Sequence, residues 1–212
     1  LSLLGFSLVS RVYLAEVSYG HALAALKIND GAKTYASLTS AIRRNPFRPH
    51  YHATMSQISL SLANAAYDKQ VIIDFYQQAI REGKLAVKYA PTSPIAWENL
   101  ASIYKSFVGG ATNADSWTIA AIGETIKLDP TNPLLRLQLG SLYLRTNRLD
   151  DASAAFQSAI ALKPDLANAH YNLAYVYKKK GEFFNAALEF RRTSELVAPG
   201  SIDADRVNAD LS

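Results

Sequence analysis

The stretch from Asp129 to Pro164 reads DPTNPLLRLQLGSLYLRTNRLDDASAAFQSAIALKP, and a second copy of its pattern, KPDLANAHYNLAYVYKKKGEFFNAALEFRRTSELVAP, follows it directly. The matching positions are Leu139 and Leu173, Gly140 and Ala174, Tyr143 and Tyr177, Ala152 and Ala186, and Phe156 and Phe190. The copies are offset by about 34 residues, which indicates a repeated structural unit.

The spacing within each copy predicts two helices. Leu139, Gly140 and Tyr143 fall on one helical stripe, and Ala152 and Phe156 begin a second stripe after a polar turn. A proline at the end of each copy stops the second helix because it lacks an N–H and clashes with the preceding turn. Each copy is therefore predicted to be a helical hairpin, and such hairpins must stack to bury their apolar faces.

Earlier parts of the chain carry the same features. The segment Pro94–Tyr104, PIAWENLASIY, has the tryptophan, leucine, small residue and tyrosine of a first helix. A second helix is expected over Lys69–Tyr89, and an insertion of about five residues is expected between Lys105 and Asp115. Prolines 46, 91, 130, 164 and 199 end five hairpins, over about 11–48, 49–91, 94–130, 133–164 and 167–199.

This pattern resembles the tetratricopeptide repeat (TPR) family, most strongly in its C-terminal half. The resemblance implies an all-α fold, a right-handed superhelical solenoid of about five TPR-like helical hairpins in a single domain, 1–212. A capping helix is expected over 201–212, since a terminal repeat otherwise exposes its apolar edge and Ile202, Val207 and Leu211 could cover it.

Composition excludes several chemistries. The chain has no cysteine, which removes disulfides, thiolate metal sites and thiol catalysis. It has 22 basic and 18 acidic residues, and this modest net charge of +4 does not favour a nucleic-acid partner. The sequence has no HExxH motif, phosphate-binding glycine loop or nucleophile elbow, so no catalytic residue, metal site or cofactor is expected and the protein is predicted not to be an enzyme.

The remaining candidate for function is the face formed by the first helix of each hairpin. In stacked hairpins this face is concave, and the residues three before, one after and four after the small residue point into it. The predicted peptide-binding groove consists of Tyr19, Glu98, Asn99, Lys105, Leu137, Gln138, Leu144, Tyr171, Asn172, Tyr175 and Lys178. Its mixture of apolar, aromatic and amide groups suits an extended peptide or a partner helix.

Three of these residues form a possible amide row. Asn99, Gln138 and Asn172 each stand two residues before the small residue of a first helix. Side-chain amides can donate to and accept from a peptide backbone at once. The row resembles the asparagine row of O-linked N-acetylglucosamine transferases, and the alternative is that these amides bond only to neighbouring helices.

The leading functional prediction is a non-enzymatic protein-interaction scaffold with a protein or peptide ligand. The first 50 or so residues also resemble the segment after the membrane domain of bacterial O-antigen ligase or polymerase-type proteins. The alternative is therefore an extracytoplasmic accessory domain of a membrane-bound glycan-assembly protein, attached through sequence upstream of Leu1. The protein would be extracytoplasmic in that case and cytoplasmic otherwise, so its localisation is left open. Its oligomeric state is also left open. The sequence does not decide whether the chain's own termini cover the groove.

Overall fold

The computed structural model describes residues 3–110, 112–198 and 209, with side chains from residue 9 onward. These residues form helices and no strand. The helices are α1 (Leu3–Lys27), α2 (Gly31–Arg44), α3 (Pro49–Ala65), α4 (Lys69–Tyr89), α5 (Pro94–Lys105), α6 (Ala114–Leu128), α7 (Pro133–Arg145), α8 (Leu149–Leu162), α9 (Ala167–Lys180) and α10 (Phe183–Leu196). The predicted all-α class is confirmed, and α4 has the predicted bounds.

The chain divides into two compact units, an N-terminal unit of residues 1–121 and a C-terminal unit of residues 122–212. In the N-terminal unit α1 packs against α2 and α3 against α4, and α3 and α4 also contact α5. In the C-terminal unit α7 packs against α8 and α9 against α10, and α8 joins the two pairs. These four pairs are four of the five predicted hairpins. The third predicted hairpin, α5 with α6, and the stacking of all five into one solenoid stay predictions.

Local sequence explains where the helices begin and end. Asp68 caps α4 by accepting hydrogen bonds from two backbone N–H groups of its first turn, at 2.9 and 3.0 Å. Proline starts α3, α5 and α7, where a missing N–H costs nothing. Asn29, Asn147 and Gly181 take left-handed backbone conformations in the turns after α1, α7 and α9. Asparagine and glycine tolerate that conformation best, so these turns can be tight.

The aromatic residues of the repeat pattern fall into two groups. Phe156, Phe190 and Tyr104 are buried, as expected. Trp97, Tyr143 and Tyr177, where the repeat pattern also predicts rings packed between helices, are half-buried. The Tyr177 hydroxyl accepts a hydrogen bond from a glutamine amide at 3.0 Å, and an arginine guanidinium lies 4.5 Å from the centroid of the Tyr143 ring. Amphipathic rings keep their polar edge accessible, which explains the difference.

Two sequence-based expectations concern the ends of the chain. The capping helix over 201–212 lies outside the described residues, apart from residue 209. None of the helices in the described part combines the length and apolar character needed to span a bilayer.

Candidate interaction surface

In the N-terminal unit, the first candidate residue is held firmly in place. The Tyr19 hydroxyl shares a 3.0 Å hydrogen bond with the Thr54 hydroxyl on α3. Its ring centroid lies 4.9 Å from the centroids of both His50 and Tyr51. Tyr19 therefore ties α1 to α3, and it presents only part of its ring to solvent.

A small ionic cluster lies beside Tyr19. Glu16 approaches Arg48 at 3.4 Å and His50 at 3.9 Å. Loss of hydration lowers the pKa of His50, and Arg48 lowers it further while Glu16 raises it. Burial, and then the nearby Glu16 carboxylate, raise the pKa of Tyr51 far above its usual range. The Tyr51 hydroxyl is buried.

Apolar side chains occupy the next part of the α1 face. Leu23 and Leu26 are 37% and 42% exposed, at the positions one and four after the small residue Ala22. They follow Tyr19 along the helix at the spacing of a single stripe. The α1 face therefore changes from ionic to aliphatic along its length.

The first member of the amide row makes contacts within the protein. Asn99 on α5 donates to the Ser56 hydroxyl at 2.9 Å and accepts from the Gln57 amide, and both of these residues lie on α3. Asn99 thus joins two first helices of the N-terminal unit. Glu98 and Lys105, the other candidate residues on α5, are exposed.

In the C-terminal unit, α7 presents both apolar and polar candidates. Leu137 and Leu144 are half-buried and pack against the cluster around Phe156. Gln138 is exposed. The leucines therefore contribute to the core of this unit as well as to its surface.

The α9 face has the most accessible aromatic residue among the candidates. Tyr175 is 39% exposed, and the Lys179 ammonium lies 5.4 Å from its ring centroid. Tyr171 packs edge-on against the Phe190 ring, and Lys178 lies 6.0 Å from the centroid of the same ring. The Asn172 amide donates to the carbonyl oxygen of Asn168 in its own helix at 2.7 Å.

His52 and His170 have partners that the repeat pattern does not reveal. Each ring bonds to a glutamate on the second helix of its own hairpin, His52 to Glu82 and His170 to Glu189. The glutamates follow their histidines by 30 and 19 residues, because α3, the turn after it and α4 are each longer than α9, its turn and α10. Because the spacing differs, an alignment of the repeats does not show that both hairpins have the same histidine–glutamate contact.

The described residues contain no group of three or more histidine, aspartate or glutamate side chains that could hold a metal ion. The candidate surface offers aromatic and aliphatic area, side-chain amides and a few charges. Apolar pockets combined with polar groups are common in peptide recognition.

Comparisons with known proteins bear on the repeat and on the fold. Residues 140–181 match the family model described as TPR repeat. A peroxisomal targeting signal receptor of Kluyveromyces lactis is 30% identical over 91 residues, which cover 40% of this chain but only 16% of the receptor. The chain thus matches less than a fifth of the length of this curated relative.

Solved structures extend the likeness to most of the chain. A crystal structure of MamA protein has a TM-score of 0.72 at 17% identity, covering 86% of this chain and 91% of MamA. YrrB, described as a TPR protein with an unusual peptide-binding site, has a TM-score of 0.67 at 14% identity, covering 91% and 90%. At such low identity these likenesses establish the fold alone. Residues 140–181 thus match the tetratricopeptide repeat by sequence, and most of the chain shares the fold of MamA and of the TPR protein YrrB.

Proposed function

We propose that this chain is a non-catalytic protein-interaction scaffold that binds a peptide or a helix of a partner protein on its first helices. The observation that carries the proposal is the exposure of Tyr175 on α9, next to a lysine and on the face where the repeat pattern places ligands. A tyrosine offers a large apolar area and a polar hydroxyl, which makes it an effective anchor in protein interfaces.

Internal bonds decide which of the other candidate residues can contribute. Asn99 already bridges two side chains of α3, so its main part in binding is to hold those helices in place. Gln138 is exposed, and within the described part of the chain the Asn172 amide donates to its own helix, so both amides keep donors and acceptors for a peptide backbone. We therefore assign ligand contact first to Tyr175, Gln138 and Asn172.

Leu23 and Leu26 offer a second, purely aliphatic contact surface in the N-terminal unit. Two leucines one turn apart match the spacing of the apolar anchors on an amphipathic partner helix. We propose that α1 contacts such a helix, whereas α7 and α9 contact an extended segment.

The test begins with selection of peptides from a displayed library on the purified chain. The affinity of a selected peptide is then measured by fluorescence anisotropy for the unchanged chain, for Tyr175→Ala and for Tyr67→Ala. Tyr67 is a suitable control because it is fully exposed in the turn before α4. We expect Tyr175→Ala to weaken binding at least tenfold, which corresponds to about 1.4 kcal/mol, and Tyr67→Ala to leave it unchanged.

Two outcomes would refute the proposal: selection that yields no binding peptide, or equal affinities for all three proteins. The amides are tested separately with Gln138→Ala and Asn172→Ala, which should weaken binding while leaving thermal stability nearly unchanged. The alternative function, an accessory domain of a membrane-bound glycan-assembly protein, stays a prediction from the likeness of the first 50 or so residues.

A further inference from the structure

The first repeat differs from the others at one position of its first helix. The residue four before the small residue is His52, Trp97, Arg136 and His170 in the second to fifth repeats, but Ser18 in the first. The three rings each bond to the carbonyl oxygen of the proline that ends the preceding repeat, at distances of 2.7, 2.8 and 3.0 Å. A serine is much smaller than these side chains, so the first repeat has space at the corresponding position.

A groove of about 440 Å³ lies between α1 and α2, and Ser18 is part of its lining. Pockets of this size can hold a small organic molecule. Leu14, Val17 and Ala36 form the apolar side of the groove. None of the residues assigned above to peptide contact is among its lining residues in the described part of the chain, so this groove is separate from the peptide-binding surface.

The guanidinium group of Arg44 is fixed in this groove. Its Nη1 donates to the Ser18 hydroxyl on α1 at 3.0 Å, and to the hydroxyl and the carbonyl oxygen of Ser40 on its own helix. Among the described residues these bonds involve only one of the three guanidinium nitrogens, so Nε and Nη2 can bind a ligand. The corresponding residues of the fourth and fifth repeats are Leu162 and Leu196, so the arginine is particular to the first repeat.

Further hydrogen-bond donors line the same groove from both helices. The hydroxyls of Ser37 and Ser40 belong to α2, and the imidazole of His21 belongs to α1. Hydroxyl and imidazole N–H groups donate to anions as neutral groups, and a guanidinium donates as a cation. The four oxygens of a tetrahedral phosphate group can bond to donors on both sides, whereas a planar carboxylate has only two oxygens.

The distribution of charge also favours an anion in this groove. Residues 9–48 have six basic and two acidic side chains, whereas the rest of the chain has 16 of each, so the first repeat carries the whole net charge of +4. Its two carboxylates are engaged elsewhere: Glu16 approaches Arg48 and His50, and Asp30 caps α2 by accepting from a backbone N–H at 3.0 Å. A local excess of positive charge raises the local concentration of anionic ligands.

We propose that the groove between α1 and α2 binds a small, soluble phosphate monoester. The phosphate group accepts hydrogen bonds from Arg44, Ser37 and His21. The organic group that carries the phosphate contacts Leu14 and Val17, in the space that corresponds to the rings of the other repeats. Guanidinium groups suit this task because their planar array of donors matches phosphate oxygens.

The test measures binding of phenyl phosphate to the full chain by isothermal titration calorimetry. Phenyl phosphate combines the proposed anion with a ring like those at the corresponding position of other repeats. We expect Arg44→Gln to weaken binding at least about tenfold, because a charged hydrogen-bond donor is lost. Absence of binding to the unchanged chain would overturn the proposal.

Arg43→Gln is the matched control for charge. Arg43 precedes Arg44 on α2, is exposed and is not among the lining residues of the groove in the described part. Its replacement removes the same charge and should change the affinity less than about twofold at physiological salt, where exposed charges are screened. Equal losses in the two variants would show attraction by net charge alone and would refute a specific site.

Ser18→Trp fills the groove without removing any charge. Trp97 shows that an indole ring is accepted at the corresponding position of another first helix. This variant should lose binding although Arg44 is retained, and unchanged affinity would place the ligand elsewhere. NMR spectra of the unchanged chain do not depend on how the variants fold. Phenyl phosphate should shift amide signals of residues 14–21 and 36–44, and shifts confined to other residues would contradict the proposal.

Other probes define the chemistry of the ligand. Benzoate, which has a planar carboxylate on the same ring, and inorganic phosphate, which has no ring, should both bind more weakly than phenyl phosphate. Equal affinity for benzoate would refute the preference for phosphate, and equal affinity for inorganic phosphate would refute the contact with an organic group. Binding to vesicles that contain phosphatidic acid, without binding to phenyl phosphate, would assign the groove to a lipid headgroup and overturn the proposal of a soluble ligand.

Discussion

Replacing Gly140 with alanine tests the close approach of two helices in the C-terminal unit. A Cβ atom at this position would lie 2.6 Å from Cε1 and 2.7 Å from Cδ1 of the Phe156 ring. Carbon atoms pack at about 3.5–4.0 Å, so the ring would have to move by about 1 Å. Phe156 is completely buried among Leu173, Val176 and their neighbours, where close packing leaves little room for such a shift.

The expected magnitude combines two opposing effects. Overpacking of a core costs about 1–3 kcal/mol. Glycine to alanine inside a helix gains about 1 kcal/mol, since glycine is the weaker helix former. Gly140→Ala should therefore destabilise the protein by up to about 2 kcal/mol. Gly123→Ala on α6 is the matched control, because nothing lies within 4 Å of its added Cβ, and it should stabilise the protein by up to about 1 kcal/mol.

Urea unfolding at constant m-value measures both changes as shifts of the transition midpoint. The double variant Gly140→Ala with Phe156→Leu should recover part of the loss, because the smaller side chain leaves space for the new methyl group. The resulting interaction energy should be about 1–3 kcal/mol. If Gly140→Ala is as stabilising as Gly123→Ala, or if the two changes are additive, the inferred contact between α7 and α8 is wrong.

Three further predictions concern single residues. Phe190→Ala should cost about 3–5 kcal/mol in denaturant unfolding because the ring is buried, and a loss below about 1 kcal/mol would contradict its assigned place in the core. Asp68→Ala removes the cap of α4 and should lower stability by about 0.5–2 kcal/mol, whereas Asp68→Asn should retain most of it. His50 should titrate below pH 6.5 in NMR spectra because burial lowers its pKa, and Glu16→Gln should lower the midpoint further; a midpoint at or above 6.5 would argue against that environment.

The repeat pattern predicted the hairpins because each of its features, such as a proline or an apolar stripe, has one dominant physical cause. Prolines that end helices and apolar stripes at helical spacing act locally, so they are readable from sequence. The second hairpin departs from the pattern, since Gly83 stands where the other copies have an aromatic residue such as Phe156 or Phe190. In the structure a Cβ at Gly83 would lie 3.2 Å from Leu100, so a side chain of the next hairpin lies against this position instead.

The polar contacts of the candidate surface could not be predicted from the sequence. Whether Asn99 faces a ligand or α3 depends on the distance between neighbouring helices, which the sequence pattern does not specify. The same holds for Tyr19, whose hydroxyl bonds to Thr54 on another helix. Exposure of Tyr175 was predictable because it depends only on its position along one helix.

Three ring N–H groups donate hydrogen bonds to the carbonyl oxygens of the prolines that end the preceding hairpins, His52 to Pro46, Trp97 to Pro91 and His170 to Pro164. These bonds bear on folding kinetics. In each case donor and acceptor are only six residues apart in sequence, although they join two successive hairpins. Closing such a short loop takes about 10–100 ns, far less time than a contact between distant segments needs. A folded hairpin can therefore position the start of the next hairpin through this contact. Because the contacting residues are close in sequence, the contact order stays low. We expect folding to start in different hairpins and to spread along the chain in both directions, at rates typical of helical proteins rather than of β-sheet proteins.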